Sequence, residues 1–354
     1  VLHAGLLRLA NGQGSDSVLT ILSYAGLFIA SVIITLGGCH LFTNGIEWLG
    51  KRLKVSEGAV GSVFAAVGTT LPETSIPIIA IFFGSGQERT EVGLGAILGA
   101  PFMLSTLVLP ILAMLLLLYA RLGKRPAQFK LDYTEVRADL LFFLVGYSLA
   151  LACVFVPSRG LHVAVAIGLV LLYIYYMKMK FSAVDEEGEH GIDLDPLVLA
   201  PRSRQPPFSM IGLQGMLGLI GLVAGAHLFV TAAKSLSAEL SVSPLLLALL
   251  IAPLATELPE MSNSFLWLYR KKDRLAVGNV TGAMVFQGTF PVSVGLVGTQ
   301  WSLDTTALAT MVLAVIAMVF SFLQLLWGGH WRPWLLGAAS LLYVGYTVYL
   351  YSHS

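Results

Sequence analysis

Apolar residues fill this chain in long blocks, separated by short polar and charged clusters. A helix that crosses a bilayer needs roughly 20 apolar residues. Ten blocks are long enough: 18–49, 56–83, 91–119, 139–156, 161–181, 210–236, 243–269, 275–298, 304–327 and 334–351. Two of them carry residues such a block should avoid. Gly68-Thr69-Thr70-Leu71-Pro72-Glu73 interrupts the second block, and Ala255-Thr256-Glu257-Leu258-Pro259-Glu260 the seventh. The two stretches stand 187 positions apart, and the same offset lays His40-Leu41-Phe42 on His227-Leu228-Phe229 and Val55-Ser56 on Val242-Ser243. One ungapped register therefore carries Gly38–Ser75 onto Gly225–Ser262. The pattern predicts an all-α integral membrane protein of ten transmembrane helices, arranged as two five-helix repeats. An odd number of spans per copy turns the second copy upside down, the inverted repeat common among secondary transporters. The first copy covers 1–181, a linker 182–208, and the second copy 209–354.

Composition agrees. Only 12% of residues are charged and 56% are apolar, against about a quarter charged in soluble proteins. A net charge of +1 excludes nucleic acid as a partner. Cys39 and Cys153 stand in separate apolar blocks and read as buried small hydrophobes, with no disulfide or metal spacing. Residues 1–17 show no signal-peptide pattern. With the N-terminus outside, all but Arg8, Arg89, Arg159 and Lys234 of the 21 basic residues fall in inner loops. The positive-inside rule thus predicts a multi-pass protein of the cell membrane with both termini extracytoplasmic. The linker's acidic run, Asp185 to Asp195, lacks the spacing of a calcium loop and reads as solvated.

The interrupted blocks carry the chemistry. Pro72 and Pro259 lack an N–H, so the carbonyls of Gly68 and Ala255 lose their helical partners. In hydrocarbon such a break persists only where it faces protein or a wet cavity, and freed carbonyls suit hard cations. A carboxylate at mid-bilayer costs at least about 2.5–3.5 kcal/mol on insertion scales, which a cation, a proton or a buried partner must offset. Glu73 and Glu260 are therefore read as a paired acidic site. Thr69, Thr70 and Thr256 lie within a turn of them, although a threonine in a membrane helix often bonds its own preceding carbonyl. An all-oxygen shell of this kind suits Ca²⁺, can take Na⁺, and is emptied by protons. Glu257 is a third carboxylate beside Glu260 and a candidate proton carrier.

The next span of each copy supplies the other half of the site. Gly95, Gly99, Ala100 and Thr106 match Gly278, Gly282, Ala283 and Thr289 at an offset of 183. The small residues permit close helix approach. Asn279 and Gln287 are candidate ligands, whereas their partners Ala96 and Leu104 cannot be. Pro101 is expected to add a break in span three, and His40 and His227 to pack helices.

The Gly-Thr-Thr-Leu-Pro-Glu run at 68–73, the Gly-Asn-Val-Thr-Gly run at 278–282 and the ten-span repeat resemble the calcium/cation antiporter superfamily, nearest its prokaryotic sodium/calcium exchanger branch. The resemblance spans essentially the whole chain. It implies that Glu73 and Glu260 bind the transported ions, assisted by Thr69, Thr70 and Thr256. The chain departs from the family pattern at Ala100 and Ala283 in place of Ser, at Leu104 and Gln287 in place of Asn or Asp, and at Glu257 in place of Ser. Several sodium positions are thereby missing, which opens proton coupling or another cation. The reading is a secondary-active antiporter exchanging Ca²⁺ for Na⁺ or H⁺ by alternating access. Its expected metal-site residues are Glu73, Glu260, Thr69, Thr70, Thr256, Glu257, Gly68, Ala255, Asn279 and Gln287. No cofactor is expected beyond the transported ions. The partners are membrane lipid and those cations, with a monomer as the expected state. The competing readings are a cation sensor without transport and an intramembrane acid/base enzyme.

Overall fold

The computed structural model describes residues 14–52, 74–84, 88–185, 195–240 and 244–353. All secondary structure among them is helical. In chain order the elements are α1 (Gly14–Arg52), α2 (Thr74–Phe83), α3 (Glu88–Met103), α4 (Leu109–Arg121), α5 (Tyr133–Cys153), α6 (Arg159–Asp185) and α7 (Phe208–Leu240). There follow α8 (Pro244–Thr256), α9 (Leu258–Tyr269), α10 (Asp273–Gln287), α11 (Phe290–Gly298), α12 (Thr305–Gly328), α13 (Pro333–Ala338) and α14 (Ser340–His353).

Eight of the ten expected spans appear as helices long and apolar enough to cross a membrane. The second lies mostly outside the described residues, and only its end, Thr74–Phe83, is seen. The seventh is not one helix. It is split at Glu257 into α8 and α9, of 13 and 12 residues, each too short to span alone. Span three corrects the expectation at Pro101. The helix runs through the proline and widens to a π-turn only at Leu104–Val108. Matched in sequence, Leu104 corresponds to Gln287, where α10 ends. The two copies therefore depart from α-helix at equivalent points.

The chain forms two compact units, and each draws on both sequence halves. One takes residues 1–92 and 174–244, the other 93–173 and 245–354. In the first, α1 packs along α7 on a line of glycines. A Cβ on Gly38 would lie 2.5 Å from the backbone nitrogen of Leu222, and one on Gly225 would lie 2.7 Å from that of Thr35. A Cβ on Gly45 would lie 3.2 Å from the nitrogen of Gly215. Numbers rise along α1 as they fall along α7, so the two helices are antiparallel. Gly38 and Gly225 match at the 187-residue offset, as do Thr35 and Leu222, so these two contacts involve matched positions. His40 and His227 are both exposed and do not pack this pair, which corrects the role expected of them.

Most of the linker's acidic run lies outside the described residues, and the part that follows is docked at its start. Leu197 is buried against Trp48 and Ile211. Asn44 donates to the carbonyl of Asp195 (3.3 Å) and accepts from the amide of Val198 (3.2 Å) and the side chain of Gln214 (2.8 Å). Gln214 in turn accepts from the amide of Leu199 (2.9 Å), and the Trp48 indole donates to Asp195 (3.0 Å). These buried amides give the linker backbone the partners that water would otherwise supply.

In the second unit α5 and α12 begin at aspartate caps. Asp132 accepts from the amide of Thr134 and Asp304 from that of Ala307, both at 2.8 Å. Gly329 ends α12 in the left-handed region, φ 69°, where glycine pays no Cβ penalty. The small residues of span three do admit a close neighbour. A Cβ on Gly95 would lie 2.7 Å from that of Ala248, and one on Gly99 2.6 Å from the ring of Pro253. Gly278, by contrast, meets nothing within 4 Å. Cys39 and Cys153 are buried and form no disulfide.

Candidate cation site

The second-copy motif sits at the joint between α8 and α9. The amide of Glu257 still reaches the carbonyl of Pro253 (2.9 Å), and the amide of Met261 that of Glu257 (2.9 Å). Pro259 offers no N–H to the carbonyl of Ala255. The chain therefore kinks without coming apart, and a carbonyl is released beside the carboxylates. Thr256, Glu257 and Glu260 are all buried. Glu260 occupies the first turn of α9, where the positive end of the helix dipole favours an anion.

α10 faces this joint with two amides. Asn279 donates through Nδ2 to the carbonyl of Glu260 (3.1 Å) and to Oγ of Ser264 (3.0 Å). A carbonyl can only accept, so this nitrogen assignment is fixed by chemistry. Eight residues on, Nε2 of Gln287 donates to Oε1 of Glu257. Gln287 ends α10, and the turn Gly288–Thr289 leads into α11, so this helix too is interrupted beside the site. Thr289 closes the interruption on itself, its hydroxyl donating to the carbonyls of Val285 (2.6 Å) and Phe286 (3.0 Å). Gly288 is required there, since a Cβ would lie 2.8 Å from the ring of Phe143.

Two oxygens remain. Oε2 of Glu257 and Oε1 of Gln287 are buried with no hydrogen-bond partner among the described residues. Leaving such atoms unmet is costly, and oxygens of this kind are the ligand type that a hard cation takes. No cluster of three or more His, Cys, Asp or Glu side chains forms among the described residues. The second copy thus brings two carboxylates and two amides to one place.

Of the residues expected from the sequence, the structure joins Glu257 with Gln287 and Glu260 with Asn279, and buries Thr256 beside them. Gly68, Thr69, Thr70 and Glu73 lie outside the described residues. Of Ala255 only the backbone is described. Ser264 was not foreseen. Its signal was its place one turn after Glu260, on the same helical face. Asp139 was not foreseen either. It is a buried carboxylate in α5 that accepts from the hydroxyl of Thr281 at 2.7 Å.

The sequence family described as sodium/calcium exchanger protein matches residues 23–181 and 212–352. An Alkalimonas amylolytica protein, CaxA, named as a candidate antiporter, is 24% identical over 84% of this chain and 89% of its own length. The inner membrane protein YrbG of Escherichia coli is 23% identical over 92% of this chain and 94% of its own length. Among solved structures, the H⁺/Ca²⁺ exchanger CAX superposes with a TM-score of 0.65 at 14% identity, covering 95% of this chain and 88% of that one. The sodium-calcium exchanger NCX_Mj superposes at 0.53 and 20% identity, covering 92% and 99%. Likenesses at these identities establish the fold.

Proposed function

Because the chain belongs to the sodium/calcium exchanger protein family, we propose that it exchanges Ca²⁺ for H⁺ or Na⁺ by alternating access, at a site centred on Glu257 and Glu260. The observation that carries this is the pair of buried, unmet oxygens on Glu257 and Gln287, beside a second buried carboxylate at a helix break. A membrane chain keeps carboxylates there only where a cation or proton offsets their cost. Two species that compete for the same carboxylates cannot occupy them together, and that exclusion is the basis of exchange. The protein is a transporter and not an enzyme, and the ions are its cargo.

Glu73, with Thr69, Thr70 and Gly68, enters by the repeat register alone, in which it is the counterpart of Glu260. The matched packing of Gly38 and Gly225 supports an inverted arrangement of the two copies. Protons suit the coupling better than several Na⁺ ions. Ala100, Ala283 and Leu104 stand where polar ligands would be needed, while Glu257 adds a group that can take a proton. The distribution of Lys and Arg supports termini on the outer side of the cell membrane.

Purified protein in proteoliposomes tests the reading directly. Radioactive Ca²⁺ should accumulate under an imposed pH gradient, with a sodium gradient as the comparison. Glu260→Gln should abolish uptake. Uptake at the wild-type rate in a Glu257→Gln, Glu260→Gln double variant would end the assignment.

A further inference from the structure

α11 has one end at the cation site and the other in an arginine clip. Its first residue, Phe290, follows Gln287 by one short turn. Its far end presents the unmet carbonyls that every helix terminus leaves. Arg159, the first residue of α6, takes them. Nη1 donates to the carbonyls of Leu296 (3.0 Å) and Thr299 (2.9 Å), and Nη2 donates to that of Val297. The amide and hydroxyl of Thr299 both reach the carbonyl of Gly295, at 2.9 and 2.8 Å. A single guanidinium thereby closes the helix end and sets a positive charge at the negative pole of its dipole.

Trp301 completes the fastening. It is 1% exposed and lies at φ 49°, a conformation a bulky residue keeps only when its surroundings over-determine it. Its indole donates to the carbonyl of Ala150 (2.9 Å), and its ring fills the notch at Gly295, where a Cβ would lie 2.5 Å away. This nine-residue helix is thereby fastened at its far end.

We propose that Arg159 is a positioning residue for the cation site. By fixing the far end of α11 it holds the Gly288–Thr289 interruption in place, and through it keeps Gln287 on Glu257. Its transport readout rests on the antiporter reading; its structural readout does not. The molecule contains its own control. Arg137 makes the same kind of bond, to the carbonyl of Leu325 (2.6 Å), at the end of α12, a helix that does not start at the carboxylates.

The test compares wild type with Arg159→Gln, Arg159→Lys and Arg137→Gln, as full chains in proteoliposomes. Arg159→Gln should raise the half-saturating Ca²⁺ concentration about tenfold, the factor carried by about 1.4 kcal/mol, with a smaller change in maximal rate. Arg159→Lys should recover part of the loss, because an ammonium keeps the charge without the fork that spans three carbonyls. Arg137→Gln should leave half-saturation unchanged. Amide exchange of lipid-embedded protein is read in parallel. Exchange at 288–292 should quicken in Arg159→Gln and not in Arg137→Gln. If Arg159→Gln does not fold, Arg159→Lys against Arg137→Gln gives the same comparison. Equal half-saturation in all variants, or an equal shift in Arg159→Gln and Arg137→Gln, overturns the proposal. If wild type carries no Ca²⁺, the antiporter reading falls, and unchanged exchange at 288–292 separately overturns the anchor.

Discussion

Gln287 donates to the carboxylate of Glu257 across a span of thirty residues, and each lies at an interruption of its own helix. The amide serves one carboxylate oxygen and leaves the other unmet among the described residues. Gln287→Leu removes the donor while keeping bulk. A buried group left without its partner costs about 1–3 kcal/mol, so Ca²⁺ half-saturation should rise roughly 5–150-fold. Glu257→Gln should impair Ca²⁺ flux more than Gln287→Leu does, because it removes charge as well as geometry. Concentration series of Ca²⁺ uptake in proteoliposomes check both.

The glycine seam between α1 and α7 predicts a sharp contrast between neighbours. A Cβ on Gly38 would lie 2.5 Å from backbone, which cannot move aside as a side-chain tip can, whereas one on Gly37 meets nothing within 4 Å. Gly38→Ala should cost about 1–3 kcal/mol by overpacking. Gly37→Ala should be neutral or slightly stabilising, since alanine is the better helix former. Thermal melting of the two detergent-solubilised variants decides it.

Arg125 and Asp273 form a nearly fully buried ion pair, with side chains 5% and 0% exposed. The same carboxylate oxygen accepts from the amide of Lys130 (2.8 Å), and Arg125 also donates to the carbonyl of Leu268 (3.1 Å) at the end of α9. Removing one partner strands the other, so Arg125→Met alone should destabilise by about 3–5 kcal/mol. The double variant Arg125→Met, Asp273→Leu should recover much of that loss. Melting temperatures of the two singles and the double give the coupling.

Asp132 caps α5, and the backbone N–H of Thr134 holds its carboxyl below the ordinary range. A carboxyl lowered in the folded state stabilises above its unfolded value, and that contribution disappears as pH falls through the lowered one. At neutral pH, Asp132→Ala should cost about 1 kcal/mol, typical of a lost cap. The gap between variant and wild-type melting temperatures should close on acidification below the usual aspartate range, as a pH series of melts would show.

Several features could be read before any coordinates. Hydrocarbon admits few backbone solutions, so block length alone located eight of the long helices. A proline beside a carboxylate announced the kink at Glu257, because the lost N–H is a local covalent fact. Asn279 and Gln287 stood out as amides in an apolar block. Ser264, Arg159 and the Arg125–Asp273 pair did not stand out. Arg125 and Asp273 are 148 positions apart, and nothing local marks one as the other's partner. Nor does anything local mark Asn44 as the acceptor for the backbone amide of Val198, 154 positions away.

The sequence by itself determined what each segment could tolerate: which blocks are long and apolar enough to cross a bilayer, and where proline withholds a helical donor. These follow from side-chain transfer costs and from proline's missing donor, both properties of short stretches. Tertiary structure alone decided which oxygens were left unmet, which glycine faced a backbone and which arginine closed which helix end. Those outcomes depend on distances of a few ångströms between segments well separated along the chain, and such distances exist only once the helices have packed.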